Sequence, residues 1–389
     1  MKIEQRRWIP SVGWAPAHAG AFAGSCQLVL AFGATSVLRQ PQLTEAIRQD
    51  YPAAHIFGCS TAGEICGTQV SDDSLVVTAV HFEHTQFRSV QVDLNQSPDS
   101  FGAGERIAQS LPDSIVNSVT GANEKLAHVL VLSDGLKVNG SEFVAGLTKH
   151  LPPGVALTGG LAGDGARFGE TVVFNEGVAG NDTISALGLY GSRLKVGFGS
   201  LGGWDPFGPE RLVTRSKGNV LYELDGQSAL HLYKQYLGEH AKGLPATGLL
   251  FPLSIRDESG AEPVVRTILS VDEAAQSMTF AGDVPEGGYA RLMKANFDRL
   301  IDGATGAANT SATALGSDAT ELAILISCVG RKLVLKQRVE EEVEAVRDVL
   351  GAGAALTGFY SYGEISPFTP GARCELHNQT MTITAFSEH

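Results

Sequence analysis

The chain has 389 residues, enough for two or three domains of ~150 residues, with 43% hydrophobic and only 18% charged residues. Lys and Arg number 29 against 42 Asp and Glu, and a net charge of −13 argues against a general binder of nucleic acid or of anionic membranes. The 46 glycines come without a collagen period or the polarity of a disordered chain, so they point to tight turns and close backbone approaches.

Residues 1–26 read as an N-terminal extension. Arg6 and Arg7 are followed by Trp8, Ile9 and Pro10 rather than by an apolar run, so no secretory leader is expected. No segment approaches 18 apolar residues, so no membrane span is expected. The five cysteines, Cys26, Cys59, Cys66, Cys328 and Cys374, are odd in number and irregularly spaced. That reads as a reducing, cytoplasmic setting rather than a disulfide framework.

A unit then repeats along the chain. Its first copy has an apolar strand at 27–32, a helix through Leu43, Ala46 and Ile47, and a second strand at 54–57. The loop Gly58-Cys59-Ser60-Thr61-Ala62-Gly63-Glu64-Ile65 follows, and a return strand at 75–80 closes the copy. The second copy starts at 129–132. Its helix carries Phe143, Val144 and Leu147, Pro152 and Pro153 stop it, and its loop is Gly159-Gly160-Leu161-Ala162-Gly163-Asp164-Gly165, with a return near 171–174. Leu187 to Tyr190 and Leu194 to Gly199 read as a hairpin turning at Gly191 and Ser192, and 228–237 reads as a helix. The small, polar stretch 305–320 reads as a mobile loop. The third copy starts at 322–327. Its amphipathic helix carries Val339, Val343, Val346 and Leu350, with Glu340, Glu341 and Glu342 assigned to its solvated side. Its loop is Gly358-Phe359-Tyr360-Ser361-Tyr362-Gly363-Glu364-Ile365, and its return strand lies at 381–386. The pattern predicts an α/β fold of layered, mixed sheets built from repeated β-α-β-β units with glycine loops. A domain boundary is placed at 220, giving domains 27–220 and 221–389.

The chemistry concentrates in the loops. Cys59 sits after a strand where a nucleophile elbow would lie, but the second glycine comes one residue late and no spacing picks out a base. The loop 159–165 lacks the Lys of a phosphate-binding loop and reads as structural. Glu64 and Glu364 hold equivalent places, either facing one cleft to bind an ammonium group or capping their own loops; Arg331 would take a carboxylate. Cys59, read as a ligand contact or packing residue before a nucleophile, with Ser60, Thr61, Tyr360, Tyr362 and Asn378, completes the candidate ligand contacts. No multi-histidine metal spacing occurs among the 10 histidines. A single axial ligand needs no spacing, and His377, followed by His55, is the candidate for that role.

Taken together, the loops at 58–65, 158–164 and 358–365 and the sequence Leu376-His377-Asn378-Gln379-Thr380 resemble the FIST family of sensory proteins, over about 27–386. The resemblance implies an intracellular, non-catalytic module that binds a small ligand, with N- and C-terminal FIST domains. With no kinase or cyclase module in the sequence, it is similar to stand-alone bacterial members. Some of those are nitric-oxide-sensing haemoproteins that act on a partner histidine kinase. Haem b, a gas ligand and such a kinase are therefore implied by the resemblance. A haem-free sensor of amino acids or similar metabolites, and a Cys59-dependent enzyme, are the alternatives.

Overall fold

A computed structural model describes residues 1–97, 99–117, 120–176, 178–257, 262–369 and 371–389. Three units share one plan. Each has a leading strand (Leu28–Gly33, Asn123–Ser133, Leu322–Cys328) and, parallel to it, a glycine strand (His55–Ser60, Ala156–Leu161, Ala355–Ser361). A return strand (Leu75–His81, Thr183–Tyr190, Met381–Glu388) runs antiparallel on the leading strand's other edge. Helices Pro41–Asp50, Gly140–His150 and Val339–Leu350 connect the two parallel strands. The sheets are thus mixed.

The register repeats as well. Gly58 faces Ala31, Gly159 faces Val131 and Gly358 faces Leu325. At all three places a Cβ would stand 1.7–1.9 Å from the partner's carbonyl oxygen, so only glycine fits. Gly358→Ala should cost roughly 3 kcal/mol or more of stability by overpacking. A chemical denaturation curve within 1 kcal/mol of wild type, on the order of an ordinary surface change, would contradict this reading of the repeat.

Alternation along each leading strand sorts its side chains. Leu28, Leu30 and Phe32, Leu130 and Leu132, and Leu322, Ile324 and Ile326 face one shared central core. Val29 and Ala31 face outward with Leu43 and Ile47 of the first helix. Val129, Val131, Ala323 and Leu325 face outward with Phe143, Leu147, Val343 and Val346.

The units are closed by exchanged strands. Glu64–Cys66 of the first unit pairs with the third unit's glycine strand. Gly363–Pro367 of the third pairs with the second unit's glycine strand. Val173–Asn175 of the second pairs with the first unit's glycine strand. Each loop therefore completes a neighbour's sheet, and the three sheets form a closed ring.

Residues 205–296 form a separate lobe. Its strand order begins with Val264–Arg266 and ends with Ile268–Asp272, which are joined through Thr267, so the sheet curls on itself around Val213, Leu221, Leu253 and Phe280, with Leu230 and Tyr233 of helix Ala229–Leu237. A cut after residue 220 falls inside strand Val220–Leu224 and parts it from its partner Asp205–Lys217 in this lobe.

Three sequence expectations are corrected. Residues 1–26 contribute strand Lys2–Ile9 to the first sheet instead of standing apart. Thr183–Tyr190 and Leu194–Leu201 are no hairpin: the first pairs in the second unit and the other pairs with Met381–Glu388 of the third. The stretch expected to be a mobile loop is mostly helix Phe297–Leu315. Its small residues are a packing face: Gly303, Ala304, Ala307, Ala308 and Ser311 are buried, and Gly197 and Gly199 of the neighbouring strand lie so near that a Cβ would meet helix carbonyls at 2.0–2.4 Å. Low side-chain bulk here measures close approach, not mobility.

Candidate functional site

The glycine loops follow strand ends that the ring brings together. Ala62 N–H donates to Tyr360 O and Tyr360 N–H to Gly63 O, both at 2.8 Å. Gly163 N–H donates to Ser60 O at 2.8 Å, and Tyr362 N–H to Leu161 O at 3.2 Å. The loops meet edge to edge, and 58–65, 158–164 and 358–365 are buried throughout.

This contact decides the two glutamates. Glu64 accepts from Thr61 Oγ1, and from Ser74 N–H at 3.2 Å and Oγ at 2.6 Å. Glu364 accepts from Ser361 Oγ at 2.6 Å and from Thr380 N–H at 3.2 Å and Oγ1 at 3.0 Å. Each carboxyl caps its own loop and ties it to the start of its return strand; neither faces an open cleft. Burial pushes Glu64 up to about 7 and Glu364 up to about 8, against the hydrogen bonds that favour the charged form.

Arg331 is likewise committed. It is fully buried and donates to Glu342 from Nε at 3.1 Å and from Nη2 at 2.7 Å. Tyr360 Oη and Ser327 Oγ donate to the other Glu342 oxygen at 2.7 and 3.1 Å. The expected carboxylate partner of Arg331 is thus supplied from within, and Glu342 is a core residue, not part of a solvated face. Tyr362 is 8% exposed; its ring stacks on the exposed Phe168 at 4.4 Å. Ser60 Oγ accepts from Val172 N–H at 2.9 Å.

Cys59 does not fit a nucleophile. It lies fully inside the central core and burial holds its thiol well above the ordinary range. His55 is half-buried and faces Glu176 at 3.1 Å.

Residues 376–380 are different. They join strand Cys374–His377 to the last return strand, and Gln379 adopts φ +62°, a left-handed conformation unusual for a side chain of this length. His377, Asn378 and Gln379 are at most 1% exposed. Yet His377 Nδ1, both side-chain polar atoms of Asn378 and Gln379 Oε1 have no hydrogen-bond partner among the described residues. Unmet groups of this kind cost about 1–3 kcal/mol each, and three consecutive residues carry four of them here. The sequence offered His377 and Asn378 as candidates. Gln379 was missed, and only its place beside them in the same turn pointed to it.

The same turn joins the lobe to the ring. Arg266 Nη1 donates to Leu376 O at 2.8 Å, Gln379 Nε2 to Leu249 O at 3.4 Å, and Trp204 Nε1 to Gln379 O at 2.8 Å. The chain enters the lobe through Gly202 and Gly203, and Gly203 has φ +78° with no room for a Cβ.

The fit of a haem to His377 divides. Nε2–H donates to Ser366 O at 2.7 Å, leaving a bare lone pair at Nδ1, as in many metal-ligating histidines. Burial pushes the imidazole down to about 4, so it is neutral. The space is lacking: the ring is wholly buried and edge-on to Phe368 at 4.2 Å. Two grooves, of about 840 and 590 Å³, are lined by other residues. Among the described residues no group of three His, Cys, Asp or Glu is placed to hold a metal ion, and no helix is long and apolar enough to cross a membrane.

Two family models match the chain, the FIST N domain over residues 27–227 and the FIST C domain over residues 229–367. The chain belongs to the FIST family. FIST domains are sensory domains that bind small ligands in signalling proteins. Among curated relatives, an uncharacterized protein of Methanocaldococcus jannaschii is 24% identical over 69% of this chain and 54% of its own length. The chain thus spans about half of that relative. An uncharacterized protein of Mycobacterium tuberculosis is 25% identical over 97% of both chains. Among solved structures, a cyanuric acid hydrolase from A. caulinodans matches over 78% of this FIST protein and 99% of its own chain, at 10% identity and a TM-score of 0.18, too low to bear on the fold or the chemistry.

Proposed function

We propose that the protein is a non-catalytic sensor whose receiving element is the buried turn 376–380 and whose responding element is the hinged lobe 205–296. The observation that carries this is the set of four unmet polar atoms in His377, Asn378 and Gln379, at the place where the lobe meets the ring. Three are acceptors (Nδ1, Oδ1, Oε1) and one is a donor (Nδ2), so the matching ligand is compact and rich in N–H groups. Amino acids and small amides have that pattern. The turn is closed as it stands, so a ligand would enter only as the lobe moves away from it; binding would then lower the cost of the unmet groups and change how tightly Trp204, Leu249 and Arg266 hold the lobe to the ring. A signalling partner, with a histidine kinase as the first candidate, would read the lobe.

Asn378→Leu tests this. The variant keeps the side chain's size and removes both unmet atoms, so its melting temperature without ligand should hold or rise. Calorimetry against a panel of amino acids, amides and ureas should show binding to wild type and a loss of at least tenfold in the variant. Unchanged binding, or no binding of any panel member to wild type at millimolar concentration, sinks the proposal. Haem-based nitric oxide sensing is the competing outcome, favoured by the bare Nδ1 of His377. A Soret band at one haem per chain, lost in His377→Ala, would replace the metabolite reading and require the segment at Phe368 to move aside.

A further inference from the structure

Three arginines are almost completely buried: Arg6 at 2%, Arg266 at 3% and Arg331 at 0% exposure. Arg6 is paired with Asp50 and Arg331 with Glu342. Arg266 has no carboxylate within ion-pair distance among the described residues. Its contacts are neutral: Asp283 O at 3.2 Å from Nε, Val265 O at 3.4 Å and Leu376 O at 2.8 Å from Nη1, and Ser141 Oγ at 3.5 Å from Nη2. Glu375 and Asp283 act on it only through space, and Glu375 is itself paired with Arg373 at 3.3 Å and pushed up by burial.

A buried guanidinium without an anion is costly, and natural proteins rarely keep one without a use. Desolvation pushes Arg266 down only to about 10, so it stays charged at neutral pH. Its fork is also placed to matter. It grips the carbonyl of Leu376, the residue before the three with unmet atoms, and it spans the lobe, helix Gly140–His150 of the second unit and the turn of the third. The Nη2 arm is the least satisfied, with one long contact for two N–H groups.

We infer that Arg266 is the ligand-selecting cation of the turn and receives an acid group, a carboxylate or comparable oxyanion, from the bound molecule. The inference rests on the turn 376–380 being the receiving element. With it the complement is complete: acceptors from His377, Asn378 and Gln379 for the N–H groups of the ligand, and a forked cation for its acid end. Occupancy would swap the long contact of Nη2 with Ser141 for a charge-assisted bond, loosening the lobe from the second unit while fastening it to the ligand.

The experiment compares acids with their own primary amides on the full chain: glycine with glycinamide, glutamate with glutamine, and pyruvate with pyruvamide. Calorimetry and thermal shift are read for wild type, Arg266→Gln, Arg266→Lys and Asn378→Leu. The expected result is that wild type binds at least one acid at least tenfold tighter than the matching amide. Arg266→Gln should erase that preference, so that acid and amide bind alike, and Arg266→Lys should restore part of it. The acid–amide comparison on wild type stands even where a variant folds poorly. If amides bind as well as acids and Asn378→Leu abolishes both, the turn stands as the receiving element and the role of Arg266 falls. If acids bind but neither Arg266→Gln nor Asn378→Leu alters them, the ligand sits elsewhere and both readings fall. If no member of the set binds wild type, the turn is not a receiver for this class and the inference falls with it.

Discussion

Arg331→Met should cost about 3–5 kcal/mol, the largest loss expected from any single change outside the glycines, because it leaves the Glu342 carboxylate buried without its cation. The pair is wholly enclosed, and Arg331 also donates to Leu300 O at 2.7 Å and to Gly202 O. One side chain thus fixes the third helix, the start of helix Phe297–Leu315 and the glycine entry to the lobe. The loss should be strongly non-additive. Arg331→Met combined with Glu342→Leu removes both charges and should recover much of the stability, since an apolar pair of similar volume has no desolvation cost to offset. Urea denaturation of the four proteins of this cycle measures both terms. A single-variant loss below about 1 kcal/mol, the size expected of an exposed pair, would show that the interior at this point is wet.

Glu364→Gln should raise stability at alkaline pH and do nothing in acid. The folded protein holds this carboxyl at about 8, above its ordinary 4.5, mainly through burial. A group raised in this way favours the folded state while it is protonated in both states, and that advantage drains away as pH climbs from 4.5 toward 8. At about 1.4 kcal/mol per pH unit, the span amounts to a few kcal/mol. Glutamine keeps the neutral shape and avoids the loss. The difference between variant and wild type should therefore be near zero at pH 4.5, grow through neutrality and level off above 8. Arg331 and Cys328 interact with the same carboxyl through space, while His377 is its cross-strand neighbour. His377 works in the opposite sense. It is held down to about 4, so the stability it contributes is lost as pH falls from 6.5 toward 4. Taking the difference between the two proteins cancels that term. A flat difference curve would mean that Glu364 is charged throughout.

Much of the fold is legible in the sequence because it depends on local rules. Buried parallel strands are apolar runs, helix Val339–Leu350 shows its period, and the loop glycines sit where a Cβ would strike a carbonyl. The pairing of Glu64–Cys66 with a strand almost 300 positions later has no local signature, since the extended segment is three residues long and nothing in it names its partner. The roles of Glu342 and Arg331 were hidden for a similar reason. An acidic triplet on an amphipathic helix looks solvated until another element brings a cation to one of its members. The candidate site was half legible. His377 and Asn378 stood out as polar residues beside a recognisable loop, whereas Arg266 lies in the lobe, and only the docked structure shows it to be a cation without a counter-ion.

The ring of exchanged strands also governs how the chain must be made. During synthesis the first unit's glycine strand keeps a bare edge until Val173–Asn175 leaves the ribosome, and Glu64–Cys66, paired locally with Gln69–Ser71, keeps its other edge open until Ala355–Ser361 follows. A nascent chain stopped anywhere between these points displays open strand edges of high β-propensity, the template on which neighbouring nascent chains associate. No half of the molecule is a finished product, and the protein should depend on chaperones that shield it until its last strand is released.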